Sequence, residues 1–311
     1  MKSKFFQYLH IGLIATLAAF VGLSACSSGG GDKNEAEEPE LVIDMSELDQ
    51  KMFEDIGEVK KIFYTMPSPL ETAMMIKSAG AEYNEEFLNP VENAANYSTN
   101  MSMALNLGIY TCDLSFVSLY DQTEASVNYM NASKKMADGL GILDAINDET
   151  IDKLEENVNN RDVIMEIISD TFMNSSSYLQ ENDRSSVASI VLVGGWMEGL
   201  YLATQMVYTD SIMTSKLVKR IADQKLSMDI VIRLLNETKD NEDIQSILAD
   251  IDNLKETFDK IKITTTSPIQ ASVDKDSKVT TLSSKTQSTL TPEIFNELKE
   301  KVQAIRNKYI S

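Results

Sequence analysis

Two carboxylates, Asp113 and Glu198, stand at positions that the helical pattern of the sequence would bury. A buried carboxylate must be paired or hydrogen-bonded, or its pKa rises until the group is neutral. Each has an aromatic neighbour in sequence, because Tyr110 precedes Asp113 by three residues and Trp196 precedes Glu198 by two. Tyr110 and Asp113 share a helix face, whereas Trp196 and Glu198 do not. These four residues are candidates for an internal pocket that binds a cation or a small polar ligand.

The sequence is also compatible with a structural or a catalytic role for Asp113 and Glu198. They can meet Lys or Arg partners that fix the register between helices, and the pattern favours this structural interpretation over the pocket. They can also serve as general acid and base in a hydrolase or lyase acting on envelope polymers. Two carboxyls lining one solvent-reachable cleft would favour the enzyme, and salt-bridged burial would favour a non-enzymatic module.

Most enzyme classes are excluded by the residues that are missing. The single histidine, His10, lies in the leader, so the mature chain has none for a nucleophile pair, a zinc site or a haem. The sixteen methionines are scattered and indicate core filling rather than a metal site. The chain also lacks a Walker loop, a GxGxxG motif and a nucleophile elbow. We therefore predict no catalytic residue, no metal and no cofactor, and a protein that is more a binder than an enzyme.

The N-terminus predicts export. Residues 1–25 have a basic start, an apolar stretch and small residues before a cysteine, as a signal peptide does. The ending Leu23-Ser24-Ala25-Cys26 resembles the lipobox of bacterial lipoproteins, which implies that Cys26 becomes an acylated N-terminus held on a membrane. Ser27 in place of an aspartate favours, by the same resemblance, the outer membrane. The periplasmic and cell-surface faces both stay open.

Composition and charge limit the partners. The formal charge of -20 makes nucleic acid a poor partner, because such a surface repels phosphate backbones. Once Cys26 carries lipid, Cys112 has no partner within the chain, so a disulfide framework is excluded. Residues 26–40 are rich in Gly, Ser and acids and predict a flexible tether. A single domain is expected to follow over 41–311.

The apolar spacing of that domain predicts an all-α fold, a multi-helix bundle. The segment 263–290 is rich in Thr, Ser and Val and predicts a β-hairpin or an extended excursion, with a mobile loop as the alternative. A C-terminal helix over 291–310 follows, with Thr291 as N-cap and Pro292 at the first helical position. The other helices are predicted at 45–64, 69–79, 98–120, 122–139, 148–159, 161–181, 184–209, 214–238 and 241–262.

The stretch 187–208 is long and apolar enough to span a membrane. Glu198 near its middle would cost about 2.5–3.5 kcal/mol at a bilayer centre. A core helix that is apolar on all sides of a bundle explains the stretch better.

Two parts of the chain resemble each other. Aligning Gly108 with Gly194 sets Tyr110 opposite Trp196, and 134–138 then falls opposite 219–223 at nearly the same offset. This pattern suggests two duplicated helical halves, 65–147 and 148–238. A chance match between short helical motifs is the alternative.

The strings LNLGIYTCDLS, KKMADGLGI, GGWMEGLYLAT and TPEIFNELKEKVQAIRNKYI resemble a family of helical outer-membrane lipoproteins of Bacteroidota that has no assigned activity. The resemblance implies a fold and a cellular address without a reaction. The expected function is therefore a lipid-anchored envelope protein that binds a partner protein or a small polar ligand. The carboxylate-based hydrolase or lyase is the alternative.

Overall fold

The structure is a computed structural model that describes residues 69–143, 148–157, 160–207, 212, 215–265, 270–273, 280–283 and 286–311, with side chains undescribed at 265–289 and at a few further positions. The predicted signal peptide, Cys26, the tether and the helix at 45–64 lie outside these residues. Those predictions therefore stand as they were made from the sequence.

The described part of the chain is an all-α bundle of nine α-helices, as predicted. Their ends differ from the predicted ends by at most four residues. Two short 3-10 turns, Glu85–Phe87 and Val91–Ala95, were not predicted. In chain order the helices are α1 Pro69–Ser78, α2 Asn100–Leu119, α3 Thr123–Gly139, α4 Asp148–Glu156, α5 Arg161–Glu181, α6 Ser185–Gln205, α7 Lys216–Glu237, α8 Glu242–Asp259 and α9 Pro292–Tyr309.

Helices α2 and α6 form the centre of the bundle. Both are apolar on nearly every side, and almost all of their residues are buried among α1, α3, α5, α7 and α9. Helix α6 has the length and composition of a membrane span, but 94% of its apolar window is buried inside the protein. This burial agrees with the prediction that the stretch is a core helix of the bundle.

The backbones of α2 and α6 touch at glycines. A Cβ added at Gly108 would lie 2.0 Å from the carbonyl oxygen of Val191, and one added at Gly194 would lie 2.1 Å from that of Leu105. Each glycine thus faces the residue three before the other glycine, so the crossing has a local two-fold relation. The alignment of Gly108 with Gly194 equates the same two positions. Duplication of the complete halves stays a prediction.

Four helix ends close with the same turn. After α1, α2, α3 and α5, an N–H reaches back to the carbonyl five residues earlier, and the residue before it adopts a left-handed conformation. Gly80 occupies that left-handed position after α1, and Gly141 occupies it after α3. Asp121 and Asp183 fill it at the ends of α2 and α5, with φ of 58° and 59°. At each of these turns the chain leaves the helix and changes direction.

The segment before α9 forms two antiparallel strand pairs, in the stretch for which the sequence predicts a β-hairpin or an extended excursion. β1 (Lys262–Thr265) pairs with β4 (Thr286–Thr289), and β2 (Gln270–Val273) pairs with β3 (Thr280–Ser283). Helix α9 then begins at the predicted cap, where the Thr291 hydroxyl accepts from the N–H of Ile294. The hairpin returns the chain to the bundle, and α9 packs against α2, α6 and α8.

Candidate functional site

The two predicted acids meet in the centre of the bundle, and an arginine joins them. Asp113 on α2 and Glu198 on α6 are both fully buried. Arg306 on α9 is 4% exposed and donates from Nε and Nη2 to the two oxygens of Glu198, each at 2.9 Å. Its Nη2 also donates to the carbonyl of Phe87 at 3.2 Å, and its guanidinium lies 4.5 Å from the ring centre of Tyr201. This is the bidentate geometry that pairs arginine with carboxylate most strongly.

Asp113 is held differently. Its Oδ2 accepts from the backbone N–H of Asn89 at 3.1 Å, and its Oδ1 has no donor. Glu198 on α6 is near enough for its charge to act on this carboxyl. Burial raises the pKa of Asp113 well above its usual range, and the charge of Glu198 raises it further, while Arg306 and the Asn89 N–H oppose the shift. We therefore assign the protonated form to Asp113, which lies beside the ion pair of Glu198 and Arg306.

A polar network next to this cluster fixes the end of the chain. Asn106 donates from Nδ2 to the carbonyl of Tyr309 at 2.9 Å, and the hydroxyl of Tyr97 donates to the carbonyl of Ile310 at 3.1 Å. Asn89 donates from Nδ2 to Asn106 Oδ1 and to the Tyr97 hydroxyl. The last carbonyls of a helix have no partner within the helix. Here buried side chains satisfy them, so the end of α9 is fixed against α2, while Arg306 fixes the same helix against α6.

The two predicted aromatic residues do not join the acids in a common pocket. The Tyr110 hydroxyl donates to the carbonyl of Pro90 at 3.0 Å, which anchors the segment before α2. The Trp196 indole N–H donates to Gln224 on α7 at 3.0 Å, on another side of α6. The structure thus brings Asp113 and Glu198 together, keeps Tyr110 near Asp113 and places Trp196 apart. Cys112 is fully buried, and burial raises the pKa of its thiol.

Sequence reasoning missed Arg306, Asn89 and Asn106. Arg306 follows Val302 by four residues, on the face that packs α9 into the bundle. That spacing was a usable signal, because an arginine on a core-facing stripe needs a buried anion. Asn89 and Asn106 carried no comparable signal, since a single amide in an apolar stretch does not reveal its partners.

The structure also contains a cavity that neither acid lines. It has a volume of about 70 Å³ and lies between α2, α3 and α5, with contributions from the flanking elements. Most of its wall is aliphatic or aromatic, and its polar lining comes from hydroxyls and one lysine. The lining residues are Leu107, Thr111, Leu114, Met130, Ser133, Lys134, Ile142, Leu154, Ile168, Thr171, Phe172, Ser175, Ser176, Leu179 and Val191.

Two hydroxyls on the cavity wall have no hydrogen-bond partner in the protein. The Oγ atoms of Ser133 on α3 and Ser175 on α5 are buried and unpaired. Ser175 as a whole is 8% exposed. By contrast, the hydroxyl of Thr111 on the same wall donates to the carbonyl of Leu107 at 2.7 Å. Because an unpaired buried hydroxyl is costly, Ser133 and Ser175 are groups that a ligand could satisfy.

The metal-binding potential is low in the part of the chain that the structure describes. No group of three or more His, Cys, Asp or Glu side chains there could hold a metal ion. Trp196 and Gln224 line a second, smaller cavity of about 20 Å³ beside α1. Of these two cavities, the one between α2, α3 and α5 has more room for a ligand.

The chain was compared with protein-family models, with curated proteins and with solved structures. No family model, no curated protein and no solved structure matches the chain. The resemblance to helical lipoproteins of Bacteroidota therefore stays a prediction from the sequence.

Proposed function

We propose that the protein is a non-catalytic binding module of the bacterial outer membrane, anchored by lipid on Cys26, which holds a small ligand in the cavity between α2, α3 and α5. The observation that carries the proposal is the pair of unpartnered hydroxyls, Ser133 and Ser175, on an otherwise apolar wall. Few precisely placed polar groups in an apolar cavity are typical of small-molecule sites.

The proposed ligand site differs from the one predicted at Asp113, Tyr110, Trp196 and Glu198. Both oxygens of Glu198 already accept from Arg306, so this acid is engaged in an ion pair with a cation of the protein itself. Glu198 instead fixes α9 against α6 through Arg306, and Asp113 holds the backbone of Asn89 against α2. The cavity between α2, α3 and α5 is the better site for a ligand, because the hydroxyls of Ser133 and Ser175 on its wall lack hydrogen-bond partners.

The alternative function is a hydrolase or lyase that uses Asp113 and Glu198 as acid and base. One observation favours it: the two carboxyls are neighbours in different surroundings, since Glu198 is paired with Arg306 while burial raises the pKa of Asp113. Against it, both are fully buried, and a general acid must reach the proton that it transfers. Glu198 would also have to leave Arg306 during the reaction.

Native mass spectrometry tests the proposal. The exported chain, residues 26–311 with Cys26→Ser, would be secreted behind a signal peptide without a lipobox and purified without detergent. We expect a co-purifying small mass that is lost in the double variant Ser133→Ala/Ser175→Ala. The matched control Ser189→Ala should retain it, because the Ser189 hydroxyl is buried elsewhere on α6 and bonded to the carbonyl of Ser185.

Two results would contradict the small-ligand function. A bare protein mass in the wild type, with no added small molecule able to bind, would move the function to a protein partner in the envelope. A ligand lost in Glu198→Gln and kept in the double serine variant would return the site to the acids. The lipid anchor is tested separately, because Cys26→Ser in the full chain should abolish incorporation of labelled palmitate.

A further inference from the structure

The charge of the cavity wall differs from that of the whole chain. The protein carries 48 Asp and Glu residues against 28 Lys and Arg residues, a formal charge of -20. Among the lining residues that the structure describes there is nevertheless no carboxylate, and the one charged residue among them is Lys134 on α3. The exposed side chain of Lys134 sets a positive charge at the edge of the cavity. Such a wall disfavours a cation and attracts an anion.

The unpaired hydroxyls point to the same kind of head group. A serine hydroxyl donates one hydrogen bond, and a bond to an anionic acceptor is roughly twice as strong as one to a neutral acceptor. A carboxylate has two oxygens and can therefore accept from both Ser133 and Ser175. A head group that is only a donor, such as an ammonium, offers no acceptor to the two serine O–H groups and would face the charge of Lys134.

The size of the cavity limits the rest of the ligand. A dry engineered cavity of about 150 Å³ is large enough for benzene. At about 70 Å³, this cavity has room for a short aliphatic group rather than a long acyl chain. The apolar wall, built from residues such as Leu114, Phe172 and Leu179, would cover that group.

We infer that the ligand of this cavity is a small monocarboxylate with a short apolar body, whose carboxylate accepts from Ser133 and Ser175 beside Lys134. The inference rests on the proposed binding function and narrows it to one chemical class. A ligand of this class would make use of every polar group on the wall that now lacks a partner.

Three probes with the same carbon chain test the class: butanoate, butan-1-ol and butylammonium. Their binding to residues 26–311 with Cys26→Ser would be measured by titration with protein-observed NMR. We expect butanoate to bind roughly fivefold more tightly than butan-1-ol, since a hydrogen bond to a charged group is worth about 1 kcal/mol more than a neutral one. Butylammonium should bind more weakly than both.

Two lysine variants provide the matched comparison. Lys134→Gln should weaken butanoate binding by about threefold and leave butan-1-ol unchanged, the size expected of a solvent-exposed ion pair. Lys135→Gln removes the same charge from the next residue of α3, which does not line the cavity, and should change neither. Both substitutions are on the surface and should leave the fold intact.

The outcomes separate the inference from the function on which it rests. If butylammonium or butan-1-ol binds as tightly as butanoate, and the serine variants abolish that binding, the monocarboxylate class is wrong and the binding site stands. If dodecanoate binds and butanoate does not, the size argument fails. If no probe binds and no native mass co-purifies, both the class and the small-ligand function are overturned.

Discussion

Arg306 binds both oxygens of Glu198 at 2.9 Å across 108 residues of sequence, and the pair is almost completely buried. A buried ion pair adds little net stability compared with apolar residues of the same shape. Removing one partner is different, because it leaves an uncompensated charge inside the protein. The core of the bundle is therefore stable only when α9 is in place, because Arg306 on α9 compensates the buried charge of Glu198 on α6.

Arg306→Met should lower the free energy of unfolding by about 3–5 kcal/mol, the range for breaking a buried pair. The control is Lys308→Met on the same helix, since Lys308 pairs with Asp250 at 2.7 Å but is half exposed. That control should cost less than about 1 kcal/mol, as surface pairs do. Urea denaturation followed by circular dichroism measures both, and equal losses would contradict the role given to Arg306.

Asp113→Asn should be tolerated at neutral pH, because an amide can replace a protonated carboxyl and donate to Glu198. We expect a change below about 1 kcal/mol, the usual net value of one neutral hydrogen bond. Asp113→Ala should cost more, since it leaves the N–H of Asn89 buried without its acceptor. If the asparagine variant is as unstable as the alanine variant, the proton has been assigned to the wrong group.

The same assignment predicts a pH dependence. The pKa of Asp113 is raised in the folded state, so this state binds more protons than the unfolded chain at pH values between the two pKa values. The contribution of Asp113 is complete below its unfolded value of 3.8 and is lost as the pH rises through the folded value. Denaturation midpoints across the pH range should therefore show wild type losing stability with rising pH relative to Asp113→Asn. A constant difference between the two proteins would exclude the raised pKa.

Gly108→Ala should destabilise the bundle by about 1–3 kcal/mol or more, because the new Cβ would push α2 away from the carbonyl of Val191. Gly139→Ala is the matched case. Its Cβ would meet only the flexible side chain of Met103, at 2.3 Å from the sulfur, so that side chain can move aside. Thermal unfolding should separate the two variants clearly, and similar melting temperatures would contradict the close approach of the helices.

Asp121→Gly and Asp183→Gly should each stabilise the protein by up to about 1 kcal/mol, because glycine adopts the left-handed conformation without the penalty of a Cβ. The reverse change, Gly141→Ala at a φ of 65°, should destabilise it. Chemical denaturation of the three variants gives the measurement. A loss of stability in both aspartate variants would mean that their side chains stabilise these turns.

Ser175→Ala should raise the stability of the ligand-free protein by about 1 kcal/mol, because the variant no longer buries an unpaired hydroxyl. The gain should come with a loss of ligand binding, as is common where a functional group is kept at the expense of stability. Ser189→Ala, which removes a bonded hydroxyl, should be neutral or destabilising. A less stable Ser175→Ala would indicate that the hydroxyl has a structural partner.

The helices and the hairpin were predictable because each depends on residues close together in sequence. Helix α5 runs over Arg161–Glu181, the predicted span, and α9 begins at the predicted Thr291 cap. Burial of Asp113 and Glu198 was also predictable, since each stands in a continuous apolar helix. The predicted four-residue pocket was a weaker inference, because Trp196 and Glu198 are two residues apart and face different directions.

The sequence by itself determined the helical class, most helix ends, the N-cap of α9 and the presence of two acids in the core. The tertiary structure alone decided that Arg306 neutralises Glu198, that Asn106 caps the end of α9, and that Ser133 and Ser175 share one cavity wall. These partners lie between 42 and 203 residues apart along the chain, with the two members of the ion pair 108 residues apart. Local propensity and periodicity act over a few residues, so they cannot specify which distant side chains meet; packing of the complete bundle does.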